Sequence, residues 1–423
     1  MLTSFLTCEN FRKLKWDAED TDRLRRYARY RNLYRGEFSS AFRGVISKLL
    51  QKYPLQNTTS QTLIEVNLFK SLTDFFKILM TNDGLSVVTD KENQNFWDEI
   101  ARDNNFISVV KEICTDNSRF GESLVKVSMK DNKIKIFSVC PDCWFPVFNN
   151  GNLNDIAGHI LMFDVVQDGR KFKHIEKIHR GFIENEVWEV NNEILSNRIK
   201  DVSLFGLNEV DDFSDKWDDF VLFHSKNTTE SDTYFGESDY KSCESIVEEI
   251  MLTISQNSKI INRHANPKLA GSIENTELNP ITGERRFPNS DFITMGKDGQ
   301  KPEYITVDLQ ADAISQHINM LMKFFYIMTK TPPQAYGIDI SENMSGESLK
   351  TILSSAISKV KDIQAVSLNN SIEKVVQCAL ALSGKSNKNV EIFWEKVPAQ
   401  NGQKEAGNFA EKITQEEAGN ANG

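Results

Sequence analysis

Cys140 and Cys143 stand two residues apart in Cys140-Pro141-Asp142-Cys143, and His174 and His179 follow with four residues between them. Two thiolates and two imidazoles are the ligand types of a tetrahedral zinc site, which would make the chain a zinc-dependent enzyme. Against this, thirty residues separate Cys143 from His174, a long gap for a compact finger. Cys143 also falls at the start of an expected strand, where a small buried thiol is the commoner occupant. Ser383-Gly384-Lys385-Ser386 has the ending of a phosphate-binding loop. Ala379 stands where that loop needs a glycine, however, and the segment follows a helical pattern instead of joining a strand to a helix. Arg23, Arg25, Arg26, Arg29, Arg31 and Arg35 could contact DNA or a partner protein, but an exposed helix face paired with acids is the preferred reading. The acidic run from Asp211 to Asp219 reads as a solvated loop, since it lacks the glycine and spaced carboxylates of the common calcium loop. The histidines are dispersed, and no Ser/His/Asp, Cys/His or paired-carboxylate arrangement has a supporting context. No enzyme and no cofactor are expected.

Elements that could position such residues change character along the chain. Helices are expected over Thr21–Tyr34, ended by Gly36, with Leu24, Tyr27 and Tyr30 inward and the arginines around them. Further helices are expected over Val66–Met80, closed by Asn82-Asp83-Gly84, and Asn95–Asn117. The period then shortens. Ser123–Met129, Lys133–Val139, Trp144–Phe148, Ile156–Val166, Lys171–Ile178 and Phe182–Val190 read as antiparallel strands, with turn signals such as Asp131-Asn132 between them.

The second half returns to long helices. One is expected to open at Ser238 or Asp239, whose side chains can accept first-turn amide protons, and to stop near Pro267. Its stripe is Tyr240, Cys243, Ile246, Val247, Ile250, Ile254 and Ile261. Another runs from about Leu309 to Lys330 with Ile314, Ile318, Leu321, Phe325 and Met328 as a packing seam. Between them, Lys268–Asp308 reads as a small module of strands and turns. After Thr331-Pro332-Pro333 and a short flexible stretch, a third helix opens at the Ser345 cap, kinks near Asn369-Asn370-Ser371 and stops at Gly384. The fold class is α+β.

Composition bounds the rest. A chain of 423 residues exceeds what one growing core usually accommodates, so more than one packed unit is expected. No apolar run is long enough to span a bilayer, and Met1–Asn10 lacks the pattern of a secretory signal. Scattered cysteines argue for reduced thiols in a cytoplasm. A net charge of −10 opposes tight general binding to nucleic acid, but not a surface that DNA slides past. Beyond Val397-Pro398 the chain is too poor in bulky apolar groups to order itself alone.

Several short motifs, in order, carry a resemblance over nearly the whole chain up to Pro398. They are Tyr34-Arg35-Gly36-Glu37, Val66-Asn67-Leu68-Phe69-Lys70, Arg119-Phe120-Gly121-Glu122-Ser123-Leu124, Cys143-Trp144-Phe145-Pro146-Val147 and His224-Ser225-Lys226-Asn227. Tyr234-Phe235-Gly236-Glu237-Ser238-Asp239-Tyr240, His264-Ala265-Asn266-Pro267-Lys268-Leu269, Thr331-Pro332-Pro333 and Ser345-Gly346-Glu347-Ser348-Leu349-Lys350 complete the series. Together they resemble the portal proteins of tailed double-stranded DNA bacteriophages, in the compact SPP-type branch.

The resemblance implies a ring of identical subunits, usually twelve, at one capsid vertex. DNA would pass through it during packaging and ejection, driven by the terminase large subunit, and neck or adaptor proteins would dock later. Major capsid and scaffold proteins would be further partners, without a membrane; the ring would assemble in the host cytoplasm and end in the virion. Residues 1–237 would form a helical and antiparallel-sheet wing, 238–267 and 309–331 a two-helix stem, and 268–308 a small α/β clip. The stretch 332–346 would carry the tunnel loop, 347–384 the long wing helix and 385–423 a short crown. Gly337, Ile338, Asp339, Ile340, Ser341, Glu342, Asn343 and Met344 would face the DNA: Asp339 and Glu342 repel phosphate, and Ile338, Ile340 and Met344 cannot bind it. Lys323 and Lys330 would be the nearest basic candidates for transient phosphate contacts, and Glu284, Arg285 and Arg286 would belong to the clip surface that meets the motor.

Overall fold

The computed structural model describes residues 18–42, 64–149, 152–153, 155–228, 230–231, 233–264, 268–270, 277–278, 280–286, 303–305, 311–339, 345–385 and 389–395. They fall into two compact units, one of residues 1–41, 67–243 and 329–423, the other of 42–66 and 244–328.

The first unit opens with α1 (Ala18–Arg35), the single turn α2 (Phe38–Ala41) and α3 (Leu68–Thr81). Asn67 caps α3 by accepting the Lys70 N–H at 2.9 Å. Phe69, Leu72 and Phe76 of α3 are wholly buried. After the strand β1 (Ser86–Thr89) come α4 (Lys91–Asp103) and α5 (Phe106–Phe120), where one helix over Asn95–Asn117 was expected. Asn105 lies at φ 47°, a left-handed conformation that a right-handed helix cannot continue through. Asn104 pins the break: its amide donates to the Ile134 carbonyl at 3.1 Å, and its oxygen accepts the Ile136 N–H at 2.9 Å.

Arg25, Arg26, Arg29 and Arg35 of α1 are exposed as expected, and Arg25 pairs with Asp22 at 3.3 Å, but Arg23 departs from that face. Arg23 is 0% exposed. It donates to the Asp20 carboxylate at 2.7 Å and to the Trp144 carbonyl at 3.0 Å, and it lies over the rings of Phe235 and Phe145. Burial alone would lower its pKa, but the neighbouring Tyr27, Asp20 and Glu122 outweigh that and hold it above the usual guanidinium value.

Six strands follow at bounds close to those expected, β2 (Glu122–Lys130), β3 (Lys133–Val139), β4 (Trp144–Phe148), β5 (Ile156–Gln167), β6 (Arg170–Ile178) and β7 (Phe182–Asn191), and three that were not expected come after them, β8 (Ile194–Arg198), β9 (Val210–Asp212) and β10 (Leu222–Lys226). One antiparallel sheet has the order β10-β2-β3. The other runs β4-β5-β6-β7-β8, with β9 also on β7. The hairpin turns Asp131-Asn132, Asp168-Gly169 and Asn192-Glu193 all take positive φ, from 51° to 74°, the hand that matches strand twist. The solvated acidic loop expected over Asp211–Asp219 is partly β9, whose Asp211 and Asp212 pair with Ile183 and Phe182. Phe145, Ile160, Met162, Ile175 and Leu195 form a buried cluster in the larger sheet.

The second unit contains α6 (Glu244–His264) and α7 (Ala311–Thr329). α6 has 21 residues, about 30 Å at 1.5 Å per residue. It starts at Glu244 instead of Ser238 or Asp239; residues 239–243 are turns. Val247, Ile250 and Met251 of α6 and Leu321 and Phe325 of α7 are buried, while Ile261 (48% exposed) and Met328 (49%) at the expected seam ends are not. Ser255 accepts the Ile64 N–H at 2.9 Å and donates to the Met251 carbonyl at 2.6 Å. Two ribbons complete the unit: β11 (Lys268–Ala270) pairs with β14 (Glu303–Ile305), and β12 (Glu277–Leu278) with β13 (Arg285–Arg286). The described residues of 268–308 hold strands and turns, and the expected stop at Pro267 lies outside the described residues.

The chain then completes the first unit with α8 (Gly346–Ile352), α9 (Ser354–Ile363), a π-helical turn at Gln364–Leu368, α10 (Asn369–Leu382) and β15 (Val390–Phe393), which pairs with β1. The irregularity expected at Asn369-Asn370-Ser371 is thus the π turn just before it. α10 packs across β2 and β10, with Val375, Val376, Cys378 and Ala379 wholly buried. Each large aliphatic side chain buried this way contributes about 1.5–3 kcal/mol. No helix among the described residues is long and apolar enough to cross a membrane.

Candidate functional site

The segment after α7 is knitted by its own side chains. Thr329 and Thr331 are buried, and their hydroxyls lie 2.6 Å apart. The Thr331 hydroxyl lies 3.2 Å from that of Tyr336, whose ring lies 6.2 Å from that of Phe75 in α3. Pro332 opens a 3-10 turn over Pro333–Tyr336: the Ala335 N–H donates to the Pro332 carbonyl at 2.9 Å and the Ile338 N–H to that of Pro333 at 3.2 Å. Gly337 closes it at φ 75°. Beyond it Ile338 is 44% exposed and Asp339 has φ 56°. Ile340, Ser341, Glu342, Asn343 and Met344 lie outside the described residues. The far end is held by Ser345, whose hydroxyl accepts the Ser348 N–H at 3.1 Å.

The same unit holds a buried polar hub. Asp239, at the lead-in to α6, accepts from Lys359 of α9 at 2.5 Å, from the Asn227 amide at 2.7 Å and from the Ser118 hydroxyl at 2.7 Å. Ser118 in turn lies 3.2 Å from Thr73 of α3, and Thr73 2.7 Å from the Tyr240 hydroxyl. The Lys359 ammonium also sits 4.1 Å from the Phe76 ring centroid. Burial pushes the Tyr240 phenol well above its ordinary value, so it stays neutral as a hydrogen-bonding group. The buried Asp239 carboxylate depends on these donors, and removing it would leave the Asn227 amide and the Ser118 hydroxyl unsatisfied, at about 1–3 kcal/mol each.

Backbone packing explains why the hub forms here. Gly121, at φ 87°, and Gly236 lie back to back: a Cβ on Gly236 would sit 2.2 Å from the Gly121 carbonyl oxygen, and one on Gly121 2.6 Å from the Glu237 carbonyl carbon. Only glycines admit that approach. It lets the Asn227 N–H donate to the Gly121 carbonyl at 2.8 Å and the Asp239 N–H to that of Ser118 at 3.0 Å. Three motifs far apart in sequence, around residues 119–124, 224–227 and 234–240, therefore meet. The pairing of Asp239 with Lys359 was missed in the sequence reading, because no local spacing connects two residues 120 positions apart.

The other candidate residues scatter. Lys323 on α7 is exposed, and so is Lys330, which lies past the end of that helix at φ 58°. Glu284 and Arg285 are exposed at the β12–β13 turn, where Arg286 opposes Glu277 across the ribbon. The Cys140 thiol accepts from Arg31 at 3.1 Å, and the Cys143 thiol contacts Asp142 at 3.6 Å. His174 is 3.0 Å from the Asn185 side-chain oxygen, and His179 stacks on Phe182 at 4.4 Å. Among the described residues no group of three or more His, Cys, Asp and Glu side chains could hold a metal ion. At Ser383-Gly384-Lys385 the chain ends a helix: the Gly384 and Lys385 amides donate to the Ala381 and Leu380 carbonyls at 2.8 and 2.9 Å, so they are not presented to a phosphate.

The family model for phage portal proteins, SPP1 Gp6-like, matches residues 14–418. No curated protein matches the chain. Among solved structures, the neck of an empty GTA particle computed with C6 symmetry aligns with a TM-score of 0.44 and 11% identity over 79% of this chain and 81% of that chain. The neck of a native GTA particle computed with C12 symmetry gives 0.40 and 12% over 80% and 83%. The virion of a native gene transfer agent (GTA) particle gives 0.40 and 10% over 84% and 85%.

Proposed function

Since the chain belongs to the phage portal protein family, SPP1 Gp6-like, we propose that it forms a ring, with twelve copies as the expected number, at one capsid vertex. The ring is a conduit for DNA in packaging and ejection, and it docks the terminase motor and later the neck proteins. The observation that carries this reading is the family match over residues 14–418. In it, residues 1–237 and the helix of 347–384 supply the wing, 238–267 and 309–331 the stem, 268–308 the clip and 385–423 the short crown. The stretch 337–344 is the tunnel loop, with Lys323 and Lys330 as transient phosphate contacts and Glu284, Arg285 and Arg286 on the motor-facing surface.

Two features of the chain support it. The stretch is anchored by a hydrogen-bonded turn on one side and a capped helix on the other, the two fixed ends that a loop beside a passing duplex needs. In addition, α7 carries an outward apolar stripe of Met320 (45% exposed), Phe324 (48%) and Ile327 (69%), for which neighbouring subunits in a ring would supply cover. Deletion of Ile338–Asn343 tests the loop assignment: rings should assemble as before while filling of heads with DNA falls sharply. Normal filling in that variant would remove the assignment.

A further inference from the structure

Cys140 and Cys143 flank the 3-10 turn Pro141–Cys143 between β3 and β4. The Cys143 N–H donates to the Cys140 carbonyl at 3.0 Å, closing a turn of the kind that holds its first and fourth Cα atoms within about 7 Å. Disulfides join Cα atoms about 4.4–6.8 Å apart. Among the described cysteines, Cys114, Cys243 and Cys378 are buried, whereas Cys140 and Cys143 are both half-buried.

The surroundings distinguish the two thiols. Arg31 places a guanidinium N–H 3.1 Å from the Cys140 sulfur and another contact of 2.5 Å on Asp142. The Arg31 cation offsets only a small part of the rise that burial and Asp142 impose on the Cys140 thiol, and Asp142 acts on the Cys143 thiol in the same direction. Burial, with the Asp142 charge second, pushes both thiols up to about 12. Exchange is therefore slow at neutral pH. The disulfide, once made, has poor leaving groups and is slow to be reduced again.

We propose that Cys140 and Cys143 are a redox modification site, forming an intramolecular disulfide by exchange with a low-molecular-weight disulfide such as oxidised glutathione. The Cys140 thiolate attacks one sulfur of glutathione disulfide, giving a mixed disulfide and releasing one glutathione thiolate. Cys143, as thiolate, attacks the Cys140 sulfur, closes the ring and releases the second. The two protons lost by the cysteines are taken up through solvent by the two glutathione thiolates. The chain loses two electrons and glutathione disulfide gains them. The linkage clasps the turn whose ends are held by Arg23, through the Pro141 and Trp144 carbonyls at 3.4 and 3.0 Å, and by Arg31. This inference stands apart from ring formation.

The test equilibrates the purified full-length chain in buffers of varied reduced-to-oxidised glutathione ratio. Samples are quenched in acid, unfolded, alkylated and weighed by mass spectrometry. Of the six cysteines, two fewer should be alkylated under oxidising conditions, and the link should map to the peptide holding Cys140 and Cys143. Its rate of formation should rise about tenfold per pH unit near neutrality, as the thiolate fraction does for thiols of such high pKa. In Cys143→Ser the reaction should stop at one glutathione on Cys140. Full alkylation at every ratio, or a link between other cysteines, overturns the proposal. The titration of the unsubstituted chain decides the matter even where the serine variant fails to fold.

Discussion

The inward face of α10 and the outward face of α7 are built from the same kinds of residue and meet opposite surroundings. On α10, Val375, Val376, Cys378 and Ala379 are 0% exposed, whereas on α7, Phe324 is 48% and Ile327 69% exposed. The first unit closes its own core around its sheets, and it encloses even charge: Lys126 with Glu176 is a buried pair, and Asp239 is buried against the half-buried Lys359. The second unit keeps a short buried seam at Val247, Ile250, Met251, Leu321 and Phe325, and among its described residues exposes Ile261, Met320, Phe324, Ile327 and Met328. The difference teaches that the same hydrophobic periodicity serves two ends, an interior completed within one chain and a surface that the ring reading completes with copies of it.

That contrast can be broken at graded cost. The largest effect on the stability of the isolated chain is expected from Asp239→Ala, which leaves the Asn227 amide and the Ser118 hydroxyl buried without their acceptor and the half-buried Lys359 without its counter-charge, and should cost about 2–4 kcal/mol. Denaturant titration measures it, and a loss under about 1 kcal/mol would mean that the hub is wetter than its burial implies. Next comes Gly236→Ala: a Cβ 2.2 Å from the Gly121 oxygen forces the backbones apart, for about 1–3 kcal/mol by the same titration. A stability equal to that of the parent chain would show the two glycines to be incidental. The smallest is Ile327→Asp, which should leave the isolated chain within about 0.5 kcal/mol of the parent because the site is exposed, yet abolish ring assembly in light scattering. Intact rings in that variant would dissolve the contrast between the two faces.

Much of the fold could be read from the residues. The hairpins were visible because Asp131-Asn132 is a turn with its own chemistry, and the strand β3 (Lys133–Val139) fell where the alternation placed it. The Ser345 cap likewise acts within its own turn. Asp239 looked equally like a cap, but Ser118, Asn227 and Lys359, all distant in sequence, engage its carboxylate, and α6 starts later. Arg23 looked like one more surface arginine; its burial depends on carbonyls and rings that only the folded sheet brings to it. The break at Asn105 was hidden because apolar residues on both sides continue a helical spacing through it. The candidate site follows the same rule. Its ends, Thr331-Pro332-Pro333 and Ser345, were legible as local chemistry, and the polar hub around Asp239, which depends on long-range partners, was not.

The central claim is that copies of this chain associate side by side around an axial opening. Electron microscopy of the purified full-length protein, alone and expressed together with the major capsid and scaffold proteins, tests it most directly. Closed rings with a central hole are the predicted result; a single subunit under every one of those conditions, with no perforated assembly at any vertex, would contradict it.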